Sequence, residues 1–180
     1  MFLCLRVNLD YVPWDAALAE EFGHGEPAVV IRLLELARKR GLKLHFFASG
    51  RSLRAFPSIG DSVLNDGHDL DWLGADTAGF AEALPLFRKL GITPQKEFEF
   101  AGPRSDLDAT RAGSKARAWA ESVRSYLSEA SSQGQHVTLV VHPQVLGKID
   151  PHLGIFKELV ESALSMGFKI RTLREGLDAG

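Results

Sequence analysis

The sequence predicts an α/β fold on a parallel sheet, one that either closes into a barrel or stays open and doubly wound, and three observations predict it. Short apolar runs alternate with segments of helical period along the whole chain. Two of the runs, Phe2 to Val7 and Val137 to Val141, are apolar enough to be strands covered on both faces. Polar and charged residues follow several runs directly, at the ends where the strand-to-helix loops of such folds converge.

Taken in order, the strand Phe2 to Val7 leads to a helix over Glu26 to Arg40, with Val30, Leu33, Leu34 and Ala37 on one face and Gly41 as its stop. Leu42 to Phe47 is the second strand. Pro57 to Asn65 is a shorter helix ended by Asp66-Gly67, where glycine supplies the left-handed residue past a helix end. Asp69 to Trp72 is the third strand, and the helix after it runs from Thr77 to Leu90, with Pro85 as a kink point and Gly91 as the stop. Glu97 to Phe100 is the fourth strand, and a long helix from Leu107 to Ser131 is expected to break near Gly113-Ser114. The strand Val137 to Val141, a helix over Ile155 to Met166, a strand over Phe168 to Arg171 and a short helix from Leu173 complete six β/α units in a single domain spanning 1–180.

Composition agrees with that frame. A chain of 180 residues, 45% of them hydrophobic, suits one domain with a sizeable core. A formal net charge of −2, with Lys and Arg scattered among Asp and Glu, leaves no electrostatic footprint for nucleic acid or an anionic membrane. The single cysteine, Cys4, excludes an internal disulfide and a cysteine-based zinc site. No basic-then-apolar leader precedes the first strand and no apolar stretch approaches the ~20 residues of a membrane span, so a cytoplasmic protein is expected. Neither a Gly-x-Gly-x-x-Gly turn nor a Walker-type loop follows a strand, which removes the main support for nucleotide binding.

The strand ends carry the chemistry. The first ends in Asn8-Leu9-Asp10-Tyr11, the third in Asp69-Leu70-Asp71-Trp72, the fourth is followed by Ala101-Gly102-Pro103-Arg104, and Val137 to Val141 runs into His142-Pro143-Gln144. Carboxylates and a histidine gathered at one rim suit a hard or borderline divalent metal, or general acid/base work. Against this, Asp10 and Asp71 read equally as caps of the loops and helices that follow, and His142 as a residue closing its strand onto loop backbone. Trp72 and Trp14 read as a sugar-stacking platform or as core.

In order and residue type, five blocks resemble the polysaccharide deacetylase superfamily: Leu5-Arg6-Val7-Asn8-Leu9-Asp10, Gly41-Leu42-Lys43-Leu44-His45-Phe46-Phe47, Gly67-His68-Asp69-Leu70-Asp71-Trp72, Phe100-Ala101-Gly102-Pro103-Arg104 and Val140-Val141-His142-Pro143-Gln144-Val145-Leu146-Gly147. The closing Gly167 to Glu175 is similar to that family's last strand and final turn. The resemblance implies a distorted (β/α)7 barrel, shortened here to six clear units, that hydrolyses N-acyl groups with a divalent metal, often zinc. The His-Pro-Gln-Val-Leu-Gly block is similar to the branch acting on amides and imides of small metabolites as much as to the branch acting on sugars.

Carried over residue by residue, the resemblance puts Asn8 at the position of the general base, Asp10 at a metal ligand and His142 at the general acid. The two metal histidines fall on Leu73 and Thr77, neither of them a zinc ligand. His68 matches a structural position. Ala101 stands where an arginine is usual, leaving Arg104 as the nearest cation. An amide does not take a proton from water near neutral pH, and one carboxylate does not hold zinc. A rebuilt oxygen-only site using Asp69, Asp71 or Asp76 would suit Mg²⁺, Ca²⁺ or Mn²⁺. Two functions stand: a carbon–nitrogen hydrolase with His142 as acid and Asp10 on a metal, impaired by these substitutions, or a binding domain in which Arg104, Asp71, Trp72 and Tyr11 hold a carbohydrate or small polar ligand. Under either, Asp10, Asp71, Arg104 and His142 are expected at one end of the barrel within ~12 Å of one another, the scale of a small-ligand pocket.

Overall fold

In the computed structural model, which describes residues 1–9, 26–96, 100, 106–108 and 116–177, β1 (Phe2–Leu9) is buried along its whole length. Its residues alternate between two environments, as a pleated strand requires. Leu3, Leu5, Val7 and Leu9 enter the main hydrophobic core, and Phe2 and Cys4 enter a second cluster on the opposite face. β2 (His45–Ala48), β3 (Asp69–Trp72), β4 (Asp106–Asp108), β5 (Val137–Val141) and β6 (Lys169–Ile170) join it in a sheet of order β3-β2-β1-β5-β4, parallel throughout. β6 pairs with Phe2 and Leu3 at the start of β1, and β2 pairs with Arg6 to Leu9 at its end. Beyond β3, Lys96 makes a parallel bridge to Trp72. Lys96 immediately precedes the expected fourth strand, Glu97 to Phe100, of which residues 97–99 lie outside the described residues.

The helices cover the main core. α1 (Glu26–Arg40) buries Val30, Leu33, Leu34 and Ala37 as its period predicts, and Gly41 ends it at φ +61°. A helix the sequence reading lacks, α2 (Gly50–Ala55), starts at Ser49, whose Oγ accepts the Ser52 N–H at 3.0 Å. α3 (Pro57–Asn65) and α4 (Thr77–Lys89) follow, and α4 runs through Pro85 as one helix. α5 (Ala116–Ser132) begins later than expected. The stretch around Leu107, read as the opening of that helix, is strand β4: Leu107 pairs with Leu139, and the ladder with β5 takes up the backbone groups that a helix would have used. The expected break at Gly113-Ser114 lies outside the described residues. α6 (Pro143–Ile149) opens directly after β5 with proline in its first turn. α7 (Gly154–Ser165) packs on α5 and is capped by Asp150, whose carboxylate accepts from Gly154 N at 3.0 Å and Phe156 N at 2.8 Å.

α8 (Leu173–Leu177) does not join this outer layer. Leu173 is buried with Phe2, Cys4, Phe47 and Phe100 on the other face of the sheet. Thr172 and Glu175 form a reciprocal cap there, Glu175 N–H donating to Thr172 Oγ1 at 3.2 Å and Thr172 N–H to Glu175 Oε2 at 3.3 Å. Lys43 pairs with Glu175 at 2.9 Å and fixes the helix to the segment before β2. Among the described residues, no helix is long and apolar enough to cross a membrane.

Candidate functional site

Alternation along the strands collects polar residues on the face that α8 occupies. Arg6 and Asn8 of β1, His45 and Phe47 of β2, Asp69 and Asp71 of β3, and Thr138 and Val140 of β5 share it. The register pairs Asn8 with Phe47 and Phe47 with Asp71, so these three form one layer. Val7 pairs with Val141, which places Asn8 and His142 side by side, one residue further along adjacent strands.

Asp71 is the hub of this face. Its side chain is fully buried and both oxygens are engaged. His45 Nε2 lies 2.8 Å from Oδ2, Arg174 Nε donates to Oδ2 at 3.0 Å, Arg174 Nη2 donates to Oδ1, and the Gln95 backbone N–H donates to Oδ1 at 2.6 Å. On the far side of the imidazole, Leu173 N–H donates to His45 Nδ1 at 3.1 Å. A backbone N–H only donates, so the ring proton resides on Nε2 and points at Asp71. Burial pulls the His45 pKa below the ordinary imidazole value against the opposing pull of Asp71, which makes the neutral ring the resting form. Burial alone would raise the Asp71 carboxyl, but the hydrogen bonds from His45, Arg174 and Gln95 outweigh it and hold the group below the usual carboxylate value. Sequence reasoning missed His45, Gln95 and Arg174 as members of this network. Only His45 carried a local signal, standing two residues before Phe47 on the same face.

Asn8 is buried beside Arg6, whose Nε donates to Asn8 Oδ1 at 2.8 Å, and the Arg6 guanidinium lies 4.4 Å from the centroid of the Phe47 ring. His142 is also buried, ends its strand, and serves as the residue before α6 without a side-chain cap bond. Cys4, one layer below Arg6, is sealed in, and burial pushes its thiol up to about 12, so it supplies neither a nucleophile nor a metal ligand. His68 accepts from Leu44 N–H at 3.3 Å through Nδ1, the structural place the resemblance gives it.

The site residues expected from the sequence separate into three groups. Asn8, Asp71 and His142 share the buried face; Asp10, Tyr11, Arg104 and Trp14 lie outside the described residues. Trp72 is a correction. As the strand neighbour of Asp71 it points to the opposite face, where it is 2% exposed in the main core and meets Phe80 edge-on, so it is core and not a ligand-stacking surface. A Cβ on Gly74 would lie 2.2 Å from Trp72 Cζ2, and Gly74→Ala should therefore cost about 1 to 3 kcal/mol in a urea unfolding measurement. A midpoint equal to the parent's would show that the indole is free to move. Asp71 too changes role, from a residue that touches ligand to one that positions others, because neither oxygen is left to face a cleft.

The metal implied by the resemblance does not fit the residues described. Leu73 packs against the Phe47 and Phe100 cluster, and Thr77 is an exposed first residue of α4. Of the oxygen-only set, Asp71 is used by His45 and Arg174, and Asp76 caps α4 through Gly79 N–H at 2.7 Å. Among the described residues, no three His, Cys, Asp or Glu side chains gather as a metal site would require.

No protein-family model matches this chain, and no curated protein matches it in sequence. Solved structures match its fold. The PuuE allantoinase superposes with a TM-score of 0.73 at 14% identity over 91% of this chain and 84% of its own. A polysaccharide deacetylase described from Mycobacterium smegmatis gives 0.68 at 15% identity, over 94% of this chain and 92% of that one. A CE4 family pseudoenzyme from Bacillus anthracis gives 0.64 at 10% identity, over 97% of this chain and 64% of that one. The likeness extends over nearly the whole of this chain, and in fold it is similar to polysaccharide deacetylases, on a parallel α/β sheet.

Proposed function

We propose that this chain keeps the cleft of a polysaccharide deacetylase and binds a carbohydrate or small amide there, with the ancestral hydrolysis of an N-acyl carbon–nitrogen bond impaired. The observation that carries this reading is the pair Arg6 and Asn8. The position of the general base holds an amide whose oxygen already accepts from Arg6 Nε at 2.8 Å, and that group takes no proton from water. The apolar Leu73 and exposed Thr77 at the histidine positions support the same reading, since they leave Asp10 as the one ligand carried over. The names of the structural neighbours support the ligand class: they include a polysaccharide deacetylase, a peptidoglycan deacetylase, an allantoinase and a CE4 family pseudoenzyme. His142 and Asn8 are the side chains assigned to the reacting end, and Tyr11 and Arg104 to the rim.

Incubation of the purified protein with acetylated chitooligosaccharides, with zinc, cobalt or manganese added, should release no acetate above the buffer blank, while calorimetry detects binding of the same sugars. Elemental analysis after dialysis should find far less than one zinc per chain. Metal-dependent acetate release, or a full equivalent of retained zinc, would sink this reading.

A further inference from the structure

We infer that Asn8 is a ligand-binding residue in its own right, a fixed donor whose Nδ2 hydrogens recognise the acyl oxygen of an amide or carboxylic acid. The inference rests on the functional reading above, in which the cleft holds an acyl-bearing molecule without hydrolysing it.

The orientation of the amide follows from its neighbour. A guanidinium has donors and no acceptor, so the atom of Asn8 that lies 2.8 Å from Arg6 Nε must be the oxygen. Arg6 is itself held in place, buried on β1 with its guanidinium over the Phe47 ring. The two Nδ2 hydrogens are therefore directed away from Arg6 and have no protein partner among the described residues. Nδ2 is not among the fully enclosed polar atoms without a partner, unlike His68 Nε2 and Trp119 Nε1, so on a residue that is 7% exposed it keeps a small accessible surface. A buried donor left unmatched costs about 1 to 3 kcal/mol, and a ligand oxygen recovers that cost.

The surroundings select the class of oxygen. Asn8 ends up beside His142 on the adjacent strand, so an atom within reach of Nδ2 is also next to the imidazole. Asp71 and Arg174 compensate each other within the same face, and the Arg6 guanidinium beside Asn8 favours an acceptor there, a flat sp² oxygen, over a cation. Amide carbonyl and carboxylate share that oxygen. An aspartate at this position would turn two donors into acceptors and repel it.

The test follows the Asn8 side-chain amide by NMR in ¹⁵N-labelled protein, its signal assigned by its absence in Asn8→Ser. Acetamide, acetate, N-acetylglucosamine and glucosamine are titrated separately. Acetamide and N-acetylglucosamine should shift the Asn8 amide pair and glucosamine should not; acetate shifting it equally would show that the neutral and charged acyl sources are both accepted. Asn8→Asp should weaken binding of N-acetylglucosamine about tenfold, the scale of one net hydrogen bond. An Asn8 signal that stays still while the sugars perturb other residues of the rim overturns this inference and leaves the functional reading standing. Sugars that perturb nothing, with acetamide still moving Asn8, overturn the carbohydrate part of the functional reading and leave this inference standing. Silence at Asn8 toward all four probes overturns it outright.

Discussion

Asp71→Asn should lower the unfolding free energy by about 3 kcal/mol, near the lower end of the cost of breaking a buried ion pair. The replacement keeps shape but removes the charge that answers Arg174, and it disturbs the acceptor of the His45 Nε2–H and of the Gln95 N–H. Arg174 is 35% exposed and regains water, which keeps the loss below the largest values for such pairs. Urea unfolding of the parent and variant checks the number, and a difference under ~1 kcal/mol would mean that the network is not formed in solution. The same network sets the response to acid. His45 is neutral in the fold, with its pKa below the ordinary 6.5, so below that pH the unfolded chain takes up a proton that the folded chain refuses and stability falls. His68, also lowered by burial, acts in the same direction. The contribution of Asp71, whose folded pKa is below the ordinary 3.8, is full above that pH and is lost as the pH falls through its folded value. The parent should therefore lose stability in two stages, the first beginning near pH 6.5 and the second below 3.8. His45→Gln should flatten the first stage in part, with His68 supplying the rest.

A triple variant, Asn8→Asp with Leu73→His and Thr77→His, should bind one zinc per chain where the parent binds almost none. Three ligands from the protein, Asp10 and the two histidines, match the minimum of a catalytic zinc site with one position open. Thr77 offers an exposed position at the start of α4, and Leu73 faces the aromatic cluster from the end of β3, four residues earlier in the chain. Arg6 beside position 8 favours the charged form of the new carboxylate and weakens it as a base. Zinc binding should accordingly appear well before any acetate release. Calorimetric titration of zinc into both proteins decides this, and equal weak binding would mean that Leu73 and Thr77 do not occupy the places that the resemblance gives them.

Much of the frame was legible because period and burial agree. β1 and β5 are buried on both faces, and a strand so placed has one place in an α/β sheet; α1 shows its buried stripe at Val30, Leu33, Leu34 and Ala37. Where two local signals competed, reading failed. Residues around Leu107 have a fair helical pattern, and only the partner β5 makes them a strand. α2 and α6 had signals that were present and unused, the cap at Ser49 and the proline after His142. Within the site, simple alternation already forbids Asp71 and Trp72 from lining the same cleft, and the structure puts Trp72 in the core. Arg174 could not be read at all, since nothing local ties it to a carboxylate 103 residues earlier.

The seating of α8 inside the sheet has a consequence in time. The interior hydrogen bonds Leu173 N–H to His45 and Arg174 to Asp71 span 128 and 103 residues, and they close over residues made early in synthesis with residues made late. Until Arg174 has emerged from the ribosome, Asp71 has His45 and Gln95 within the chain already made but lacks the cation that answers its charge. The aromatic cluster of Phe2, Phe47 and Phe100 meanwhile lacks Leu173. Loop-closure entropy on this scale is spent before any of these contacts repays it, so the interior face is the last part to form and the slow step of folding lies there. A nascent chain halted short of α8 would present that apolar face to chaperones and to its own copies.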